Sequence, residues 1–385
     1  MKRYDTIIIG GGLAGLVCGI ALVRGGRRVG LVSGGRSSLG YFSGSLELSK
    51  EGLSGFDRLI EGNPSHPYAL IGTERVVDYT QRLKAIFADA GIPLMGDAEH
   101  NHLRLTPLGV LKPAWLTLDD FVTFDGEEEL AKSTTIVGVE GNLNFNPEFV
   151  AHPFRERGAE CRVATVALDR DNIEGFAQRV SEVADGTERV LLPAMFSAEE
   201  LATIREIVGR RVSLVPMAST SMAGASVERA LVERFCALGG EVFQNQRATA
   251  CRVENQVIVE ITTSEGEVLE GDDFVLATGS FFGGGLVATP QRVCESVVGV
   301  DVAFAPERDD WYSRGALSEQ PFERFGVVTD EDFHPMIEGS KVSNLYAVGA
   351  LLAGVDGVTD GCGGGVATLS ALWVAEKILE KEENR

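Results

Sequence analysis

No Asp or Glu stands between Asp5 and Glu47, a gap over the stretch where nucleotide-binding chains usually carry an acid. Cations are scarce too: 35 Lys and Arg against 56 Asp and Glu leave a formal charge of -21. A sequence-independent grip on DNA or RNA runs on clustered Lys and Arg, so nucleic acid is excluded as the main partner. The cysteines, Cys18, Cys161, Cys236, Cys251, Cys294 and Cys362, form no C-x-x-C pair, and neither a zinc site nor a thiolate-held iron–sulfur cluster is encoded locally. They read as the reduced thiols of a cytoplasmic protein. No run approaches the ~20 apolar residues of a membrane span. The apolar stretch from Thr6 to Val23 is interrupted by five glycines and lacks the spacer and cleavage site of a signal peptide.

Glycine is what the chain has in excess, 46 in 385 residues, well above the average of ~7%. Gly10, Gly12 and Gly15 fit G-x-G-x-x-G directly after the β-branched run YDTIII and at the head of the helix-like LAGLVCGIALVRGG, with a second short apolar strand, residues 28–33, following. Strand, glycine turn, helix and strand make one βαβ unit. In such a unit the first glycine allows the tight turn, the second lets a pyrophosphate reach the backbone and the third brings helix against strand. The free N–H groups of the helix N-terminus, with Gly11 and Ala14 in the same turn, then face the phosphates.

Ser33 stands where an acid at the end of the second strand normally holds the adenosine ribose. Three readings follow: Ser33, with Gly34, makes a weaker hydrogen bond to the ribose; Arg36 meets a 2′-phosphate; or the ligand lacks adenosine.

Further along, residues 132–218 alternate short apolar strands with amphipathic helices and read as a separate small α/β lobe. Residues 51–125 are mixed, with a helix in RVVDYTQRLKAIFADAG and a strand and turn in HLRLTPLGV. After the helix SVERALVERFCALGG, the segments EVFQNQ, ATACRVE, QVIVEITTSEG and EVLEGDDFVLATGS read as an antiparallel meander returning to a central sheet. NLYAVGALLAG, a glycine cluster and a terminal helix from about Gly364 close the chain.

FVLATGS, with Thr278 and Gly279 in its turn, and the last strand YAVG, ending at Gly349, resemble the return turns of the flavoprotein superfamily that includes succinate dehydrogenase, fumarate reductase and glutathione reductase. A narrower resemblance runs over nearly the whole chain. MKRYDTIIIGGGLAGLVCGIAL, SSLGYFSGSLEL, HPYALIG, LTPLGVLKPAWL, LATGSFFGGGLVA, FGVVTDE and LYAVGALLAGVDGVTDGCGGG are similar, in this order, to the B subunits of anaerobic glycerol-3-phosphate dehydrogenase. Residues 125–215 resemble that family least.

The resemblance implies a Rossmann-like α/β fold with a central parallel sheet and an antiparallel meander. Residues 1–50 and 216–385 would form a discontinuous flavin-binding domain, and residues 51–215 an inserted region holding a small α/β lobe at about 130–215. It implies a redox subunit that works with a catalytic A-type subunit, which converts sn-glycerol 3-phosphate to dihydroxyacetone phosphate, and with a membrane-associated iron–sulfur C-type subunit that passes electrons to quinone. Such a chain would be cytoplasmic, held at the inner face of the membrane through a partner. The resemblance implies FMN as the cofactor, which fits the missing ribose acid, with FAD as the alternative.

The resemblance also places Ser37, Ser43, Gly44 and Ser45 along the ribityl chain and ring. Gly361, Gly363, Gly364 and Gly365, at the head of the terminal helix, would stabilise negative charge on the reduced ring. Ala350 stands where related flavoproteins carry an acid, so a contact to the ribityl or phosphate region is lost. No catalytic acid or base is assigned: His66, His100, His102 and His334 read as structural or loop residues, Arg104 and Lys112 as surface charge, Trp115 as core, and Cys362 as packing. Two other readings stay open. One is a stand-alone FAD- or NADP-dependent oxidoreductase with its own substrate between the lobes; the other is a flavin-free scaffold for partner subunits, a reading that Ser33 and Ala350 in place of acids sustain.

Overall fold

Ile7, Ile8 and Ile9 are buried because the strand they end runs through the middle of a sheet covered on both faces. The structure, a computed structural model, describes residues 2–35, 37–209, 211–218, 221–315 and 318–383. Its main sheet contains β1 (Lys2–Ile9), β2 (Val29–Ser33), β3 (Glu241–Gln244), β4 (Ala248–Glu254), β5 (Val257–Thr263), β6 (Val268–Leu276) and β7 (Leu345–Ala347), in the order β3-β2-β1-β6-β5-β4, with β7 also on β6. From β3 to β6 the pairs are parallel, as is β6 with β7; β6-β5 and β5-β4 are antiparallel.

The long strand β6 serves two neighbours on one edge. Val268 to Glu270 pair with β5, and Phe274 to Leu276 pair with β7, so the meander returns the chain to the centre beside β1. EVFQ departs from the expected meander: β3 joins the far edge, parallel to β2, with Gln244 opposite Ser33. The helix Met222–Ala237 before it makes this a parallel crossover. Tyr4 Oη donates to Glu241 Oε2 at 2.6 Å, and Lys2 Nζ donates to Glu241 Oε1 at 2.7 Å, which ties that edge to β1.

Helix α1 (Leu13–Arg24) lies against the helix Met222–Ala237 and the terminal helix α2 (Gly363–Glu383). Glycine permits both approaches: a Cβ on Gly19 would fall 2.9 Å from the Phe235 ring, and one on Gly25 2.4 Å from Leu379 Cδ2. Lys381 Nζ donates to Asp273 Oδ1 at 2.8 Å and fastens the end of α2 to β6.

A second sheet lies within residues 134–215. Its strands Cys161–Val166, Thr134–Val139, Arg189–Pro193 and Arg211–Val215 are all parallel in that order, and helices cover it. Helix Ala198–Val208 starts on a capping box, Ser197 with Glu200, and stops at Gly209 in the left-handed conformation. Ile136, Phe154 and Leu191 share one buried cluster with Leu105, Val122 and Phe124 of the preceding segment, while Val137, Phe176, Val190 and Leu214 belong to the same buried cluster as the main sheet. The lobe is joined to the segment before it where the Val122 N–H donates to the Leu214 carbonyl at 2.9 Å and the Leu214 N–H to the Asp120 carbonyl at 2.8 Å.

Candidate functional site

The chain leaves β1 through Gly10, whose φ of +121° favours glycine. A Cβ there would lie 2.2 Å from the carbonyl oxygen of Ala277, one on Gly11 would lie 2.5 Å from Ser33 Oγ, and one on Gly15 1.9 Å from the Gly10 carbonyl. The glycines therefore let three backbones, the ends of β1, β2 and β6, meet at the head of α1. Gly12 caps that helix with no side-chain acceptor, and its first turn holds no acid. Its N–H groups and partial positive charge are thus available to an anion.

These residues line a cavity of about 510 Å³, within the ~300–1,000 Å³ of small-molecule sites. Its lining includes Gly10, Gly11 and Gly12, Ser33, Gly34 and Ser37, and Thr278, Gly279 and Ala350, with Thr278 next to Gly10. Thr278 Oγ1 is buried there with no hydrogen-bond partner. An unpaired hydroxyl, bare glycine backbone and an uncapped helix N-terminus fit a phosphate-bearing nucleotide. Beyond Ser33 the cavity continues along residues 246–249, at the start of β4. The Gln246 N–H donates to the Ser33 carbonyl at 3.1 Å, so this part of the lining is set by the pairing of β3 with β2.

Other expected site residues have different surroundings. Ala14 and Gly349 pack on each other: a Cβ on Gly349, at φ +74°, would fall 2.9 Å from the Ala14 Cβ. The Gly349 N–H is held by Ser370 Oγ at 2.9 Å. Ser37 Oγ donates to Glu228 Oε2 at 2.9 Å and accepts the Leu39 N–H at 3.3 Å, which uses both of its roles within the protein. Ser43 is half-buried, and Gly44, at φ +86°, leaves room for the Phe121 ring. Ser45 Oγ is buried and accepts from Thr117 Oγ1 at 2.8 Å, itself 2.6 Å from His102 Nε2.

The cluster at the head of α2 is a packing device in its own right. A Cβ on Gly364 would sit 3.0 Å from the Glu47 nitrogen, and one on Gly365 2.1 Å from Tyr68 Oη. The Gly365 N–H donates to the Glu47 carbonyl at 2.8 Å, Gly361 lies over Lys50, and Gly363 faces Gly357. Around them Tyr68 Oη donates to the Leu48 carbonyl at 2.8 Å, Arg324 holds Asp360 through two bonds at 3.0 and 3.2 Å, and Arg104 holds Glu47 at 3.0 Å. Arg36 lies outside the described residues.

The buried histidines are structural in their bonding. His66 is buried, its Nδ1 accepts the Tyr68 N–H at 3.2 Å, and burial drives its pKa down to about 4. With Nδ1 accepting, the proton of the neutral ring stands on Nε2, 3.8 Å from Cys362 Sγ, whose pKa burial pushes up to about 12. His66, Asp360 and Cys362 have their ligand atoms within 4.8 Å of one another, yet Asp360 is committed to Arg324 and the Nε2 proton faces the thiol, a poor arrangement for a metal. His102 and His334 are likewise held neutral by burial, His334 with Nδ1 2.7 Å from the Leu345 carbonyl oxygen. Trp115 is fully buried core.

Sequence reasoning missed two parts of the lining, residues 246–249 and the loop carrying Phe282. The quoted motif LATGSFFGGGLVA contains that loop. Residues 246–249 carry no local motif and become visible only once β3 is paired to β2.

The model of the FAD-binding-domain family matches residues 5–366, and the cofactor class is accordingly a flavin. Curated relatives narrow this class: the B subunit of anaerobic glycerol-3-phosphate dehydrogenase from Pectobacterium atrosepticum is 36% identical over 98% of this chain and 99% of its own length. That of Yersinia enterocolitica is 35% identical over 99% of both. The chain belongs to this family of anaerobic glycerol-3-phosphate dehydrogenase B subunits. Among solved structures, a 3-ketosteroid delta1-dehydrogenase from Sterolibacterium denitrificans covers 99% of this chain and 100% of its own at 10% identity and a TM-score of 0.47. Among the described residues no helix is long and apolar enough to cross a membrane.

Proposed function

We propose that this chain is the flavin-bearing redox subunit of a quinone-linked anaerobic glycerol-3-phosphate dehydrogenase. Its partners are an A-type subunit, where sn-glycerol 3-phosphate is oxidised to dihydroxyacetone phosphate, and an iron–sulfur C-type subunit that relays electrons to quinone and holds the complex on the cytoplasmic side of the membrane. Residues 1–50 and 216–385 form its flavin-binding body, and residues 51–215 an inserted region. The observation that carries the reading is the glycine cradle, in which Gly10, Gly11 and Gly15 bring three strand ends to the head of an uncapped helix.

Gly10, Gly11, Gly12 and the first N–H groups of α1 would bind the phosphates, Thr278 would donate its unpaired hydroxyl, and Ser33 with Gly34 would flank the ribose. Ser43, Gly44 and the head of α2 would border the ring. Bound flavin supplies the ability to exchange electrons in pairs or singly, which no side chain of this protein provides. The protein's part is to hold that group and shield it: the buried serine and threonine of the His102 chain and the apolar wall behind Phe121 keep bulk water from the segment at residues 43–46.

We further propose FAD where the family resemblance had implied FMN. FAD is favoured by the FAD-binding-domain match over residues 5–366, and the lining of the cavity runs on past Ser33 to residues 246–249. The test is to release the flavin from purified chain with acid and chromatograph it. FAD near one equivalent is expected; FMN near one equivalent would overturn this assignment, and a colourless chain that takes up neither would overturn the flavin role.

A further inference from the structure

Two exposed aromatic rings meet beside the cavity. Tyr41 and Phe282 are 63% and 68% exposed, and their rings stand edge to face at 5.2 Å and 83°. Among the described residues this is the one ring pair in which both members are exposed. Tyr41 ends the short turn of helix Ser38–Tyr41, whose first residue lines the cavity together with Ser37. Phe282 belongs to the loop 279–285, which lines the same cavity. The rings thus join two lining segments that are far apart in the chain, and among the described residues no hydrogen bond or ion pair joins them elsewhere. The loop has the parts of a hinge. It turns at Gly279 and Gly284, with φ of +75° and +77°. The Gly284 N–H donates to the Phe281 carbonyl at 3.2 Å and the Gly285 N–H to the Ser280 carbonyl at 3.1 Å, so the loop is closed on itself. Phe281 packs on the Phe322 ring at 6.1 Å while its neighbour Phe282 is left to solvent. A Cβ on Gly285 would fall 2.5 Å from Thr278 Oγ1 and 2.0 Å from the Gly279 carbonyl oxygen, so in this position the loop covers the unpaired Thr278 hydroxyl.

We propose that Tyr41 and Phe282 are a latch on the cavity: with the rings in contact the loop 279–285 keeps a bound cofactor in, and the contact must break for a flavin to enter or leave. The inference rests on the flavin reading above and is the same for FMN and FAD. Two opposed terms make the loop a two-state element. The ring pair favours the closed position, whereas a hydroxyl buried without a partner has a desolvation cost that opposes it. Lifting the loop lets water reach Thr278, and a ligand oxygen that accepts from Thr278 removes the same cost with the loop shut. A ligand with such an oxygen therefore shifts the loop towards the closed position.

The test follows flavin fluorescence as stripped chain takes up the flavin that the purified protein releases, and as loaded chain loses it on dilution. A latch slows both directions, so Tyr41→Ala and Phe282→Ala should each speed uptake and release together, by about two- to tenfold, the worth of one edge-to-face pair. The dissociation constant should then stay within about twofold of wild type, since the two rates change in step. The thermal midpoint of the stripped chain should change little, because both rings are exposed. The double variant should match either single one, as both remove the same contact, and Tyr41→Phe, which keeps the ring, should behave as wild type. Release that speeds up with uptake unchanged would make the ring an ordinary ligand contact, and rates unchanged in both directions would mean that the rings bar nothing. Either result overturns the latch while the flavin reading stands. Chain that takes up neither FMN nor FAD overturns the flavin reading itself, and the latch with it.

Discussion

At the scale of single residues, the site depends on side chains that are missing as much as on those present. Gly10, Gly11 and Gly15 are places where one methyl group would meet a carbonyl or hydroxyl oxygen at 1.9 to 2.5 Å. His66 shows the opposite case, a titratable ring kept for its shape. It caps the short helix Pro67–Ile71 through Nδ1 and is held neutral, its pKa lowered by burial from 6.5 to about 4. Between those two values the unfolded chain takes up a proton that the folded chain refuses. The stability linked to His66 is therefore complete above pH 6.5 and is lost as the pH falls towards 4, by roughly 3 kcal/mol at most. Asn at position 66 keeps an N-cap acceptor and removes the titration. Urea unfolding at pH 7.5 and 5 should show wild type losing more stability than His66→Asn; equal losses in both proteins would mean that His66 is not the group responsible.

Secondary structure was legible in the sequence wherever one period dominated. YDTIII, the amphipathic helix within residues 76–89, the alternation from residue 134 to 215 and the terminal helix all stand where their patterns put them. EVFQ was misread because four residues carry no sign of direction, and only the crossover helix and the contacts of Glu241 make it a parallel edge strand. That one pairing also hid residues 246–249, and so part of the lining of the cavity. The GCGGG cluster was read for charge, yet most of its visible work is close approach. Gly365→Ala should therefore lower stability by about 1–3 kcal/mol through overpacking against Tyr68 and Leu48. Adding Tyr68→Phe, which removes the oxygen 2.1 Å from the new methyl, should recover part of the loss despite the hydrogen bond to Leu48 that it gives up. A double variant no more stable than Gly365→Ala would place the strain elsewhere.

For the whole molecule, the acidic balance and the bonding of the histidines point the same way. On the proposed reading a phosphate-bearing substrate would meet a chain of charge -21, and the buried histidines, His66, His102 and His334, are occupied in holding the fold. This suits a subunit that takes electrons from a partner in place of binding the alcohol itself. The most direct measurement is anaerobic bleaching of the flavin by sn-glycerol 3-phosphate, in purified chain alone and after addition of the A-type subunit. Bleaching that requires the A-type subunit is the expected result. Rapid and complete bleaching of the isolated chain would contradict it and make this protein a dehydrogenase in its own right.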